Sequence, residues 1–199
     1  MSTDNNDNGR RRFLIGATSA VGAVGAVGVA VPFLAAWKPS AKAKAAGAPV
    51  KYNLKKLEPG AMVTVEWRRQ PIFIVRRTQE ALDLLKQIPK DNLKDPDSAN
   101  LDQQPEYANN DVRSSNPEYL VIKGVCTHLG CAPKYRPELA AEGLGEDWVG
   151  GFFCPCHGSK FDLAGRVFAG APAGANLPVP PYRFEGDAVI VGEDPEVAS

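Results

Sequence analysis

Two short segments, residues 126–131 and 154–159, constrain this chain more than any other feature. They read CTHLGC and CPCHGS, and together they contain all four cysteines and both histidines of the 199 residues. No other part of the sequence offers a thiolate or an imidazole. Both groups are ligands that suit zinc or the iron of an iron–sulfur centre. A shared metal site would require a fold that brings the two segments together.

Each segment can supply one cysteine and one histidine from a single tight turn. The four metal ligands would then be Cys126, His128, Cys154 and His157. This assignment leaves one further cysteine in each segment, Cys131 and Cys156, and these two are free to pair. A disulfide between them would tie the two ligand loops together, whatever the metal is.

Three interpretations of the two segments remain at this point. In the first, the cysteines form structural disulfides only. In the second, a structural zinc ion takes a closed Cys₂His₂ shell, although such sites usually pair like ligands in C-x₂₋₄-C and H-x₃₋₅-H steps and need no spare cysteine. In the third, the segments hold a [2Fe–2S] cluster with two cysteines on one iron and two histidines on the other.

The twelve residues of the two segments match the signature of the Rieske proteins of quinol–cytochrome c reductases at every position. The sequence therefore resembles that family. The resemblance implies one Rieske-type [2Fe–2S] cluster, with Cys126 and Cys154 on the inner iron. It places His128 and His157 on the outer iron.

The resemblance also implies a function. Neutral imidazoles in place of two thiolates raise the cluster potential to about −150 to +300 mV, against about −400 mV for plant-type ferredoxins. The chain is expected to take an electron from quinol, coupled to proton release, and to pass it to a c-type cytochrome. His157 is expected to accept a hydrogen bond from the quinol, with His128 as the second candidate.

The same resemblance implies partners. We expect cytochrome b and cytochrome c-type subunits, quinol and a membrane, in a dimeric complex that acts as a translocase only when assembled. Nucleic acid is not expected, because 23 basic residues balance 23 acidic ones.

Residues beside the ligands are expected to tune or cover the cluster. Ser159 would donate a hydrogen bond toward a bridging sulfide, and Leu129, followed by Gly130, would present an apolar contact to the partner. Residues 171–177 resemble the proline loop that covers the cluster, with Pro172 in place. Gly174 stands where the family carries a second proline, which predicts a looser lid.

Phe161 departs from the pattern of the high-potential family members. Those proteins carry a tyrosine at this position, and its hydroxyl donates to a ligand sulfur. Phenylalanine has no hydroxyl, so the sequence predicts a lower potential. This departure leaves the type of quinone open.

The N-terminus predicts export and a membrane anchor. Residues 10–14 read RRRFL and resemble a twin-arginine signal, although Gly9 and Ile15 depart from the usual pattern. Residues 13–37 carry no charge and would span about 37 Å as a helix, enough for a bilayer core of about 30 Å. The alternative to a twin-arginine signal is an ordinary positive flank on a membrane helix. The alternative to a retained anchor is a signal peptide that is cleaved at residues 41–43.

The sequence is predicted to divide into four parts. Residues 1–12 form a cytoplasmic N-terminus whose first nine residues should lack regular structure, and residues 13–37 form the transmembrane helix. Residues 38–50 are a linker, and residues 51–199 form the Rieske domain, with a cluster subdomain at about 124–176. We expect a single-pass protein of the bacterial inner membrane with its Rieske domain in the periplasm.

The fold class predicted for the domain is mainly β. Alternating residues predict a hairpin at 62–67 and 71–76, and the stretch 78–86 predicts a helix capped by Thr78. Residues 89–117 predict a long surface loop, and residues 134–147 an inserted segment. The remaining strands are predicted at 119–122, 148–153, 160–162, 166–168, 182–184 and 188–191, giving an antiparallel β-sheet domain with an inserted cluster-binding subdomain.

Other functions fit parts of this pattern. A soluble Rieske ferredoxin would serve an oxygenase, but it usually lacks the extra cysteine pair. The Rieske small subunit of another periplasmic oxidoreductase, such as a molybdenum oxidase, can also carry a twin-arginine signal. A zinc-stapled binding module is the non-redox alternative.

Overall fold

The computed structural model describes residues 4–195, apart from the side chains of residues 4–7, 42 and 46. The chain divides into two compact units, and the boundary falls between Ala45 and Ala46.

The first unit is built on one long helix, α1, which runs from Asp4 to Ala36. Its residues Asn8–Ala36 are long and apolar enough to cross a membrane by length and composition. The expectation that residues 1–9 lack regular structure is wrong from Asp4 onward, where the helix already begins. Residues 1–3 lie outside the described part. A short second helix, α2 (Ala41–Ala46), occupies part of the predicted linker.

The second unit is mainly β, as predicted. Among the described residues it has nine strands in three antiparallel sheets, ordered β1-β9-β8, β2-β3-β4 and β5-β6-β7. A third helix, α3, spans Gln79–Leu85. The strands are β1 (Val50–Asn53), β2 (Met62–Trp67), β3 (Gln70–Arg76), β4 (Tyr119–Lys123), β5 (Lys134–Arg136), β6 (Gly151–Cys154), β7 (Ser159–Asp162), β8 (Tyr182–Glu185) and β9 (Ala188–Val191).

The predicted hairpin and helix are present. Strands β2 and β3 pair from Met62 opposite Val75 to Trp67 opposite Gln70. Helix α3 starts after Thr78, whose Oγ1 accepts a hydrogen bond from the Ala81 N–H at 3.1 Å. Such a cap satisfies one of the N–H groups that a helix leaves unpaired at its start.

One hydrophobic core extends through all three sheets. It joins side chains of the β2-β3-β4 sheet, such as Ile72 and Leu120, to Phe152 and Phe161 of the β5-β6-β7 sheet. Residues of β8 and β9 belong to the same cluster, and so do the buried cysteines Cys126 and Cys154. The two cysteine-bearing segments are therefore anchored in the core from which their loops emerge.

The long segment 89–117 contains no strand and only three short 3₁₀ turns, at Lys90–Asn92, Leu101–Gln103 and Glu106–Ala108. It is packed more firmly than a surface loop, because the side chain of Arg113 is fully buried. Its guanidinium donates to the Leu177 carbonyl at 2.7 Å and to the Gln104 side chain at 3.0 Å.

Two strands were not predicted, and one begins later than predicted. Residues 166–168, predicted as a strand, form only isolated bridges, through Val167 and Phe168. β1 and β5 are short, and β5 lies in the stretch interpreted as an insertion. Strand β6 starts at Gly151 instead of Trp148, because Trp148 packs in a small cluster with Ala141 and Leu144. Its Nε1 donates to the Arg136 carbonyl at 3.1 Å. The inserted segment is therefore ordered: it begins with β5, and its later residues pack in this small cluster.

Candidate metal centre

The first cysteine–histidine segment forms a closed loop just after β4. The Cys126 N–H donates to the Cys131 carbonyl at 2.8 Å, and the Gly130 N–H donates to the Cys126 carbonyl at 2.9 Å. Gly130 adopts a φ of 83°, a region that favours glycine. Leu129 at the loop tip is 71% exposed, as the predicted partner contact requires.

The second segment is the turn between β6 and β7. Cys154 ends β6 and lies opposite Ser159, the first residue of β7. The Gly158 N–H donates to the Cys154 carbonyl at 2.9 Å and closes the turn. Cys154 is buried, whereas His157 is exposed on the turn. The turn therefore presents an imidazole to the surface while its thiol stays inside.

The predicted disulfide between Cys131 and Cys156 is present. It joins the two ligand loops across a sequence separation of 25 residues. The other two cysteines, Cys126 and Cys154, are free thiols and are both buried. The Sγ atoms of Cys131, Cys154 and Cys156 also lie within 4.8 Å of one another, but the disulfide removes two of these three from metal binding.

The sulfur of Cys154 is buried and has several hydrogen-bond partners. Burial raises the pKa of its thiol, and backbone N–H groups of Cys156 and His157 that point at its sulfur oppose this rise. The Cys126 side chain is a hydrogen-bond partner of the same sulfur. Backbone donors of this kind stabilise a ligand sulfur and tune the metal it holds.

The two imidazole rings, of His128 and His157, lie against each other. Their ring centroids are 4.7 Å apart and the rings are perpendicular. The Nδ1 atom of His128 is buried and has no hydrogen-bond partner among the described residues. A buried polar atom without a partner is costly and calls for an explanation such as a bound ion. Two buried thiols, this nitrogen and the neighbouring imidazole of His157 fit the donor set of a Cys₂His₂ centre.

A lid, residues 171–176, is bonded to both segments. The Ala173 N–H donates to Ser159 Oγ at 3.0 Å, and Thr127 Oγ1 donates to the Ala175 carbonyl at 2.5 Å. Pro172 is exposed, and its neighbour Ala173 is fully buried. The bond from Ala173 occupies a lone pair of Ser159, so the hydroxyl hydrogen remains available for another acceptor.

Phe161 is fully buried in the core cluster that contains Cys126 and Cys154. It lies opposite Phe152 in the β6–β7 pair. A Cβ on Gly151 would lie 2.0 Å from the Phe161 carbonyl oxygen. Glycine at that position lets β6 and β7 approach closely beside Phe161.

Two family models match the chain. Residues 49–181 match the model described as "Rieske [2Fe-2S] domain", which covers most of the second unit. Residues 1–40 match "Ubiquitinol-cytochrome C reductase Fe-S subunit TAT signal". A protein of Allochromatium vinosum named "Ubiquinol-cytochrome c reductase iron-sulfur subunit" is 53% identical over 196 residues, covering 98% of this chain and 93% of that protein.

The chain belongs to the Rieske iron–sulfur subunits of ubiquinol–cytochrome c reductases. A Rieske subunit with the same name from Blastochloris viridis is 45% identical over 95% of both chains. Among solved structures, a chain of "Hyperthermophilic respiratory Complex III" is 26% identical, with a TM-score of 0.49, and covers 89% of this chain and 98% of that one. Membership of the Rieske family implies one Rieske-type [2Fe–2S] cluster, so the zinc and disulfide-only interpretations are not retained.

The sequence left two contacts of the Rieske site unassigned. Thr127 lies inside the first segment, but its bond to the lid cannot be seen in the motif. Lys94 donates from its Nζ to the Ala171 carbonyl, across a sequence separation of 77 residues. A local pattern carries no signal for a contact over that separation.

Proposed function

We propose that this chain is the electron-transfer subunit of a membrane quinol–cytochrome c oxidoreductase and is active only within that complex. The observation that carries the proposal is the buried, unpartnered Nδ1 of His128, whose ring lies against His157 in a domain that also buries its two free thiols. This donor set lies in a chain whose curated relatives are iron–sulfur subunits of ubiquinol–cytochrome c reductase.

Cys126 and Cys154 are the proposed ligands of the inner iron, and His128 and His157 those of the outer iron. When bound, the cluster supplies a one-electron acceptor in the range of about −150 to +300 mV, which suits electrons from a quinol. The protein keeps the thiols inside the core and the imidazole of His157 at the surface. Electron entry is therefore proposed at the histidine end.

His157 is proposed to accept the hydrogen bond of the quinol hydroxyl at its outward ring nitrogen, with His128 as the second candidate. Its exposure on the β6–β7 turn supports this role. Leu129, 71% exposed on the neighbouring loop, would pack against apolar surface of the partner that holds the quinol. Acceptance of the proton at the imidazole couples proton release to electron transfer.

Cytochrome b and a cytochrome c-type subunit are the proposed partners, in a dimeric complex. The proposed location is the bacterial inner membrane, with the N-terminus cytoplasmic and the Rieske domain in the periplasm. The twin-arginine signal match over residues 1–40 and the apolar Asn8–Ala36 segment support export and anchoring. The Cys131–Cys156 disulfide suits an oxidising compartment.

Electron paramagnetic resonance at low temperature on the full chain, reduced with ascorbate or dithionite, tests the proposal. We expect a rhombic signal with an average g value below that of the free electron. Cys126→Ser should abolish this signal. The Lys90→Met variant, changed on the exposed long loop, should keep it. A silent protein that contains stoichiometric zinc would overturn the redox function.

A further inference from the structure

The lid over the site has a third attachment, which comes from neither ligand segment. Lys94, in the long segment 89–117, donates from its Nζ to the Ala171 carbonyl at 2.6 Å and to the Ala173 carbonyl at 2.8 Å. These carbonyls lie on either side of Pro172. One ammonium group therefore fixes both flanks of the lid's only proline.

The backbone of Lys94 is itself held in place. Its N–H donates to the Val167 carbonyl at 3.0 Å, and the Ala169 N–H donates to the Asn92 carbonyl at 2.8 Å. Between these bonds, Leu93 and Phe168 form an antiparallel bridge. The long segment thus runs alongside the strand-like residues that lead into the lid, and the Lys94 side chain starts from a fixed position.

The same segment also holds the far end of the lid. Asn176 is fully buried, and its Nδ2 donates to the Asp95 carbonyl at 2.9 Å. Its Oδ1 accepts the Val167 N–H at 2.9 Å. Both ends of the lid are therefore bonded to consecutive residues of one loop, Lys94 and Asp95.

The lid needs this external support because its own residues restrain its backbone only weakly. Gly174 follows Ala173, and a Cβ at Gly174 would meet no atom within 4 Å, so neither ring nor packing restrains that position. Glycine also gives the backbone its greatest conformational freedom. Ala173 is held on one side by Lys94 and donates on the other to Ser159 Oγ.

We propose that Lys94 is a positioning residue for the iron–sulfur site: its ammonium group holds the lid, and through Ala173 it sets the orientation of the Ser159 hydroxyl. The orientation of that hydroxyl matters for electron transfer only if the function proposed above is correct. The attachment of the lid by Lys94 is independent of it. Lys94 touches neither the ligands nor the substrate in this scheme.

The test uses the full chain with its cluster and the variant Lys94→Met. We expect amide hydrogen exchange in residues 170–176 to become about tenfold to a hundredfold faster, as the loss of charge-assisted hydrogen bonds implies. The midpoint potential should fall, and the g values of the reduced cluster should shift, because the Ser159 hydroxyl loses its fixed orientation. Lys94→Arg keeps a cationic donor and should restore much of the protection and of the potential.

Lys90→Met is the matched control. Lys90 lies in the same segment and pairs with Asp97 on the surface, so its loss removes one positive charge without touching the lid. We expect lid exchange at the parental rate and little change in potential. Unchanged lid exchange in Lys94→Met, or an equal potential shift in Lys90→Met, would overturn the proposal. Absence of a cluster signal in the parent protein would overturn the proposed function instead, while lid exchange would still test the contact.

Discussion

At the residue scale, Phe161 is the side chain whose replacement should most directly alter the midpoint potential of the cluster. It is fully buried in the cluster of core residues that includes both free cysteines. Its ring offers no hydrogen-bond donor, whereas the tyrosine of high-potential relatives donates to a ligand sulfur. A donor stabilises the more negative, reduced state of the centre and so raises its potential.

We predict that Phe161→Tyr raises the midpoint potential of the cluster. Redox titration followed by electron paramagnetic resonance measures the change. Phe161→Leu serves as the control, because it changes the packing but adds no hydroxyl, and it should not raise the potential. A Tyr variant with the parental midpoint would show that this position does not limit the potential.

The raised pKa of Tyr135 predicts how the stability of the domain depends on pH in the alkaline range. Burial raises the pKa of its phenol to about 12 from the ordinary value of 10.0, and its hydroxyl donates to the Gly60 carbonyl at 2.9 Å. In the unfolded chain the Tyr135 phenol ionises near pH 10, whereas in the folded chain it keeps its proton to about pH 12. The contribution of this phenol to the stability of the folded domain is therefore complete below pH 10 and is lost as the pH rises through 12.

We predict that Tyr135→Phe lowers the free energy of unfolding by about 1 kcal/mol at pH 8, because one hydrogen bond is lost. Between pH 8 and pH 11 the variant should lose less stability than the parent protein, since it has no phenol to ionise at this site. Denaturant unfolding at the two pH values checks this. Equal losses in both proteins would contradict the assigned cause.

At the element scale, the β5-β6-β7 sheet and its two loops depend on the disulfide. The Cys131–Cys156 bond joins loops that start from different sheets, because Cys131 follows β4 and Cys156 follows β6. It limits the separation of these loops in the unfolded chain as well. The hydrogen bonds within each loop hold their own backbone but do not join one loop to the other.

We predict that the double variant Cys131→Ala/Cys156→Ala is less stable by about 2–4 kcal/mol, the usual value for a loop of this size. The ligands themselves are retained, so the cluster should assemble and then be lost faster on warming. Visible absorbance during a thermal ramp measures this loss. Reduction of the parent protein should reproduce the effect, and a double variant as stable as the oxidised parent would show that the bond is dispensable.

At the scale of the whole molecule, the two units carry separate tasks. The residues up to Ala45 contain the match to the export signal and the apolar helix, whereas the second unit contains all four cysteines and both histidines of the sequence. A twin-arginine signal addresses a chain by its paired arginines and not merely by positive charge. Export can therefore be altered without changing the metal centre.

We predict that Arg10→Lys/Arg11→Lys keeps the charge of the N-terminus but blocks export. Protein with an assembled cluster should then accumulate on the cytoplasmic side, detected by cell fractionation with electron paramagnetic resonance of each fraction. Arg12→Lys is the matched control and should be exported normally. Normal export of the double variant would favour an ordinary positive flank over the twin-arginine signal.

Local sequence patterns were enough to predict the metal-binding chemistry of this protein and most of its strands. All thiolate and imidazole groups occur in two short segments with fixed spacing, so a local motif carries the donor set and identifies the family. The hairpin of β2 and β3 and the capped helix α3 were also predictable, because alternation, capping and turn signals act over a few residues. Strands β1 and β5 escaped prediction since each is short, and β1 also pairs with β9 at the far end of the domain sequence.

Local patterns could not predict which groups surround the candidate ligands or how the lid is held. The buried, unpartnered Nδ1 of His128, the attachment of the lid by Lys94 and the burial of Arg113 each depend on residues far apart in the chain. The contacts of Lys94 and Arg113 have no local signature, because they form only when folding brings the long segment 89–117 against residues 164–177, which follow β7. Short-range patterns thus determine the ligands, whereas long-range packing determines their environment.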